Sequence, residues 1–191
     1  MWPPRVFRVQ LPAGGSGAGT RPTCGSPHAR VTVGAIEIER KFLVPEPPGD
    51  LDRHRATAIR QGYLAIADDG TEVRIRRRDG SATLTVKSGG SRSRVEEEID
   101  IDAERFERLW PLTEGRRIEK TRYEIAAGDG LTVELDVYGG ALAGLSVAEV
   151  EFDSEDAADS FAGPAWLGSE VTDDARYKNQ RLACDGAPPA G

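Results

Sequence analysis

Thr71-Glu-Val-Arg-Ile-Arg-Arg-Arg-Asp-Gly-Ser-Ala-Thr-Leu-Thr-Val-Lys87 is the stretch that decides the fold. Side chains of an extended strand alternate between two faces. Here Arg74, Arg76 and Arg78 alternate with Val73 and Ile75, and Thr83, Thr85 and Lys87 alternate with Leu84 and Val86. Between the two runs stands Asp79-Gly80, a pair that tolerates positive φ and so favours a two-residue hairpin turn. The spacing predicts antiparallel strands over Thr71–Arg78 and Ala82–Lys87, each with one polar and one apolar face.

The same pattern extends in both directions. Ala35–Val44 and Thr57–Ile66 precede the hairpin, separated by Pro45-Glu-Pro-Pro-Gly-Asp50, and Asp68-Asp-Gly70 marks the next turn. Arg92–Ile101, Arg116–Ala126, Leu131–Tyr138 and Leu145–Phe152 follow. Eight strands joined by short connections predict a mainly β (α+β) fold, an antiparallel sheet closed into a barrel with a few peripheral helices. Asp102 can cap a helix through Trp110 that Pro111 ends, Ser154 a second through Phe161, and Asp174–Cys184 reads as a third.

Composition bounds the function. The chain has 191 residues, with Lys+Arg 25, Asp+Glu 32, a net charge of -7 and 38% hydrophobic content. No run approaches the roughly 18 apolar residues of a membrane span, and a pI near 5.0 argues against a general nucleic-acid grip. Two Cys, at 24 and 184, form neither a metal-ligand spacing nor a disulfide framework, which points to a reducing cytoplasm. His only at 28 and 54 excludes a multi-His zinc site, so any metal is held by oxygen ligands. Residues 1–34 hold four Arg, six Gly, five Pro and no acid. They are expected to be a disordered extension, dispensable or an over-long predicted start, with 35–184 the folded domain and 185–191 a second disordered tail. Without the extension the body carries -11.

The alternation sorts these charges. Glu37, Glu39 and Lys41 share a face, as do Arg74 and Arg76, Arg94, Glu96 and Glu98, Lys120 and Arg122, Glu134 and Asp136, and Glu149 and Glu151. An ordinary antiparallel sheet also has one solvated, charged face. Against that, like charges recur two residues apart, and closing an eight-stranded sheet with its apolar face outward turns the charges inward. Such a tunnel holds six cations (Lys41, Arg74, Arg76, Lys87, Lys120, Arg122) and eight carboxylates (Glu37, Glu39, Glu96, Glu98, Glu134, Asp136, Glu149, Glu151). Buried charges need partners. Basic groups facing carboxylates suit a polyanion accompanied by a divalent cation such as Mg²⁺ or Mn²⁺.

Glu37-Ile-Glu39-Arg40-Lys41 resembles the ExExK signature that opens the CYTH domain of the triphosphate tunnel metalloenzyme superfamily. Further blocks resemble the family in order: Gln61-Gly-Tyr-Leu64, Val73-Arg-Ile-Arg76, Leu84-Thr-Val-Lys87, Arg94-Val-Glu-Glu-Glu98, Glu119-Lys-Thr-Arg-Tyr123, Glu134-Leu-Asp136, Ala148-Glu-Val-Glu-Phe152 and Val171-Thr-Asp-Asp-Ala-Arg-Tyr-Lys-Asn179. The resemblance implies an eight-stranded tunnel that binds a triphosphate and hydrolyses or cyclises it with Mg²⁺ or Mn²⁺. It implies Glu37, Glu39, Glu134, Glu149 and Glu151 as metal ligands. Lys41, Arg74, Arg76, Lys87, Lys120 and Arg122 become phosphate ligands, with Glu37, Glu39 and Lys41 at the catalytic centre. Glu96 and Glu98 set charge balance, Asp136 takes no definite role, and Tyr177 and Asn179 close the tunnel structurally.

A stand-alone domain of this kind resembles the inorganic triphosphatase type, which hydrolyses the terminal phosphate of tripolyphosphate. The alternatives are a class IV adenylyl cyclase making cyclic AMP from ATP, a non-catalytic polyphosphate or nucleotide-binding module, and a plain structural β-domain. The expected partner is a small-molecule triphosphate, with no nucleic acid and no membrane; the oligomeric state, a homodimer included, is left open.

Overall fold

The computed structural model describes residues 30–33, 38–88 and 95–189. Among these residues nine strands form one antiparallel sheet: β1 (Arg30–Val33), β2 (Ile38–Leu43), β3 (Arg55–Ile66), β4 (Glu72–Arg78), β5 (Ser81–Lys87), β6 (Val95–Ile101), β7 (Arg117–Ala126), β8 (Thr132–Tyr138) and β9 (Ser146–Phe152). Their order is β1-β6-β5-β4-β3-β7-β8-β9-β2. The decisive hairpin is as expected: Asp79 and Gly80 take φ of 49° and 81°, and Arg78 pairs with Ser81.

Two features depart from the sequence-based expectation. Arg30–Val33 pairs with β6 from Arg30↔Glu98 to Val33↔Val95, so a strand lies inside the stretch assigned to the disordered extension. The β-branched run Val31-Thr32-Val33 carries local strand preference that the Gly/Pro-rich composition of residues 1–34 hides. The ladder is also open between β1 and β2, although these edge strands are consecutive in the chain. Part of the β2 edge is covered instead by the segment after Leu167. Leu43 N donates to Ser169 O (2.9 Å), Gly168 N to Leu43 O (2.8 Å) and Val171 N to Lys41 O (2.8 Å). A Cβ on Gly168 would stand 2.8 Å from the Leu43 carbonyl oxygen, so this approach needs glycine.

Three apolar clusters orient the sheet. On one outer region Phe42, Val133, Leu135, Ala148, Val150 and Phe152 pack under α2 (Glu155–Ser160) and Phe161. On another, Ile75, Ala82 and Ile101 pack under Phe106 and Trp110, from α1 (Ala103–Leu109) and the 3₁₀ turn Trp110–Thr113. Asp102 and Ser154 cap α1 and α2 through their side chains, as expected. Pro111 does not stop the chain after α1; it opens the 3₁₀ turn, where its missing N–H is harmless. The third cluster lies on the charged face at one end, where Tyr63, Ile118, Tyr138 and Val147 meet Tyr177, Leu182 and Ala183. The expected helix over Asp174–Cys184 is split: Ala175–Tyr177 forms a 3₁₀ turn, Lys178 is extended, and α3 runs Asn179–Asp185. Asp174 caps the 3₁₀ turn by accepting from Arg176 N (3.0 Å), and the extended Lys178 after it lets both Tyr177 and, from α3, Leu182 and Ala183 pack against this end of the sheet. No helix among the described residues is long and apolar enough to cross a membrane.

Candidate active site

Cross-strand partners project to the same side of a sheet, so the register decides which side chains meet. Glu39 lies opposite Glu151 and Lys41 opposite Glu149. Glu134 lies opposite Glu149, Arg122 opposite Asp136, and Lys120 opposite Tyr138. Across the sheet, Arg74 is opposite Thr85, Arg76 opposite Thr83, Lys87 opposite Glu96, and Thr85 opposite Glu98. Every expected site residue within the described range therefore shares one concave face. Glu37 lies outside the described residues.

The wall made by β7, β8, β9 and β2 is densely paired. Asp136 is fully buried and accepts from Lys120 Nζ (2.5 Å), Arg122 Nε (2.7 Å) and Arg122 Nη2 (2.6 Å). Arg122 also donates to Glu134 and to Glu149 (2.8 Å), and Lys41 Nζ is 2.8 Å from Glu149. Burial opposes the charge of Arg122, yet the hydrogen bonds and fields of Asp136, Glu149 and Glu134 raise its pKa. Burial likewise opposes ionisation of Glu149, but Lys41, Lys120 and Arg122 hold it down to about 2. For Lys120 burial prevails over Asp136 and its pKa is lowered. Asn179 at the start of α3 accepts from Tyr138 Oη (3.0 Å) and Lys120 Nζ (3.4 Å), so this residue, expected to be structural, also touches a tunnel cation.

The wall made by β4, β5 and β6 is looser. Arg74 stands 3.7 Å from Glu72 and 3.6 Å from Glu96, and Arg76 stands 3.4 Å from Glu98. Lys87 makes the one short pair of this set, 2.9 Å to Glu96. Burial lowers the pKa of Arg76, with its neighbour Arg74 adding to the effect. Tyr63 is buried beside Arg74 in the register and accepts from Gln61 Nε2 (2.9 Å); burial raises its pKa.

The donor set fits a hard divalent cation. Glu39/Glu151, Glu134/Glu149 and Glu124/Glu134 are carboxylates placed directly opposite one another, an arrangement that needs positive charge close by. Oxygen donors of this kind select Mg²⁺- or Mn²⁺-type ions. Among the described residues no three carboxylates already converge closely enough to hold a metal; Glu134 and Glu149 are turned toward Arg122 and Lys41. A cavity of about 570 Å³ lies at this acidic end, lined by Glu124, Glu134, Glu151, Asp153 and Thr132. Glu124 was absent from the expected site, although its spacing two residues after Arg122 on β7 carried the signal. Asn179 had no such signal, because strand alternation is silent about a helix that arrives from elsewhere.

The CYTH domain family model matches residues 35–178. The chain is 53% identical over 148 residues to the inorganic triphosphatase of Nitrosomonas europaea, covering 77% of this chain and 96% of that protein. It is 40% identical over 151 residues to the inorganic triphosphatase of Acetivibrio thermocellus, covering 76% and 92%. A crystal structure of an inorganic triphosphatase superposes with a TM-score of 0.68 at 48% identity, covering 81% of this chain and 98% of that one. A concave sheet lined with paired cations and carboxylates, and a match that spans almost all of the described body, give one conclusion: the chain belongs to the CYTH family.

Proposed function

We propose that this protein hydrolyses the terminal phosphate of inorganic tripolyphosphate with a divalent cation, Mg²⁺ or Mn²⁺. The observation that carries this reading is the single face on which Lys41, Arg74, Arg76, Lys87, Lys120 and Arg122 stand among carboxylates. The two relatives named inorganic triphosphatase support the same choice of substrate over a cyclase reaction.

In this reading the six cations bind the phosphate oxygens, the arginines as forks and the lysines as point charges. The bond between the terminal phosphorus and its bridging oxygen breaks as a water oxygen bonds to that phosphorus, releasing orthophosphate and diphosphate. Such a displacement needs alignment and charge neutralisation rather than a covalent nucleophile. Glu39, Glu134, Glu149 and Glu151, with Glu37, would hold the cation. When bound, it supplies charge neutralisation and water activation. Lys41, paired with Glu149 and 3.9 Å from Glu39, sits where cations and acids meet and would hold the terminal phosphoryl group. Glu96 and Glu98 keep Lys87 and Arg76 oriented between turnovers. Asp136 orients Lys120 and Arg122 rather than binding metal, because both its oxygens are taken.

The test is phosphate release from tripolyphosphate, ATP and thiamine triphosphate with each metal, alongside detection of cyclic AMP. Metal-dependent release from tripolyphosphate is expected, and Glu39→Ala or Glu37→Ala should abolish it in a folded protein. Full activity in those variants, or cyclic AMP as the main product, would overturn the proposal.

A further inference from the structure

Buried polar side-chain atoms in a native protein nearly always have a hydrogen-bond partner. Three among the described residues do not: Arg74 Nε, Thr83 Oγ1 and Thr85 Oγ1. They are not scattered. Arg74 and Thr85 are directly opposite across β4 and β5, and Thr83 is two residues from Thr85 on the same face. Thr85 is fully buried. Glu98 and Asp100 lie opposite Thr85 and Thr83 on β6, yet neither accepts a hydrogen bond from them. Arg74 otherwise faces Tyr63 and stands 3.7 Å from Glu72 and 3.6 Å from Glu96, ion pairs too long for good hydrogen bonds.

Each unmade hydrogen bond to a buried group is costly, so three in one patch call for a function. All three atoms can donate, and beside them on this face stand Arg76 and Lys87, while the nearby acids Glu98 and Glu96 are directed to those two cations (3.4 and 2.9 Å) and Asp100 accepts from neither threonine. A cluster of donors among cations is complementary to an acceptor-only anion. Thr83 also lines a cavity of about 270 Å³ with Arg76, Arg78, Asp79 and Ser81, which brings the patch to open space.

We infer that Thr83, Thr85 and the Nε–H of Arg74 form a phosphate-contacting step of the tunnel wall, donating to the oxygens of the bound triphosphate. This rests on the triphosphatase reading and adds two neutral hydroxyls to an otherwise ionic site. Hydroxyls distinguish phosphate oxygens by position and direction, where lysines respond mainly to charge. The step therefore helps set how the triphosphate is seated along the tunnel.

The test uses the isosteric variants Thr83→Val and Thr85→Val, with Thr→Ser at each site, Arg74→Lys, and Thr121→Val on the opposite face of β7 as control. KM and kcat for tripolyphosphate are measured, together with the ligand-free melting temperature and its rise on adding tripolyphosphate. Each Val variant and Arg74→Lys should raise KM about tenfold, the size of a lost hydrogen bond to a charged group. The change in kcat should stay within a few fold, and the ligand-free melting temperature of the Val variants should hold or rise. Serine should restore KM. KM within twofold of wild type in both Val variants would overturn the inference, as would serine variants that behave like valine. Should wild-type protein release no phosphate from tripolyphosphate, the triphosphatase reading fails by itself. The melting-temperature rise then decides the hydroxyls alone, since loss of that rise in the Val variants keeps the inference and an equal or absent rise in all proteins ends it.

Discussion

The two walls of the tunnel carry similar charges in opposite states. Around Asp136 the side chains of β7, β8 and β9 are joined by contacts of 2.5–2.8 Å, and the Asp136 carboxylate itself is inaccessible. Across the tunnel, Arg74 and Arg76 keep their carboxylates at 3.4–3.7 Å, and three donors stand unused. Charge density alone does not say which charges receive a ligand. A group already held by short, multiple bonds is set in place before substrate arrives, which is preorganisation. A group held weakly gives up little when it turns to an incoming phosphate.

Removing Asp136 should have the largest effect, because it takes the carboxylate partner from buried Lys120 and two of the hydrogen bonds from Arg122. Asp136→Ala should lower stability by about 3–5 kcal/mol, read from urea unfolding; a loss under about 1 kcal/mol would erase the distinction between the walls. Glu149 gives the tight wall a pH signature. Its carboxyl is held near 2 in the folded protein against 4.5 otherwise, so the unfolded chain binds more protons between those values. The contribution is fully present above the unfolded value and is lost as pH falls toward 2, roughly 3 kcal/mol for a shift of this order. Metal-free melts of wild type and Glu149→Gln should show that slope only in wild type.

The loose wall should respond in the reverse sense. Arg76→Ala is expected to change unfolding stability by less than about 1 kcal/mol, while KM for tripolyphosphate rises roughly tenfold or more through a lost charge-assisted contact. Equal losses of stability in Arg76→Ala and Asp136→Ala would show that the walls are alike. The smallest effect is expected outside the tunnel, at the latch where Arg40 grips Glu170 (2.6 Å). The Arg40 hydrogen bond lowers the pKa of Glu170, so its contribution is present above the ordinary carboxylate range and lost as pH falls below it. The pair is exposed, and Glu170→Gln should cost under about 1 kcal/mol and less still in high salt.

Much of the fold was legible in the residues. Strand alternation placed Arg74, Lys87, Arg122 and Glu149 on one face before any contact was known, and the register bears this out. The same rule missed β1, whose four residues are outweighed by the Gly/Pro-rich stretch around them. It also could not see the segment Gly168–Val171 lying against the β2 edge, since that contact spans well over a hundred residues and carries no periodic signal.

By itself the sequence determined the strand faces, the sorting of charge and the family, because a two-residue period and an ordered set of motifs are local properties of the chain. Only the tertiary structure decided that Asp136 is spent on Lys120 and Arg122, that Asn179 reaches the tunnel, and that Thr83, Thr85 and Arg74 retain free donors. Those outcomes depend on register across several strands and on the curl of the sheet. Hydrogen-bond satisfaction is a property of distances between residues far apart in the chain, and alternation along one strand does not contain it.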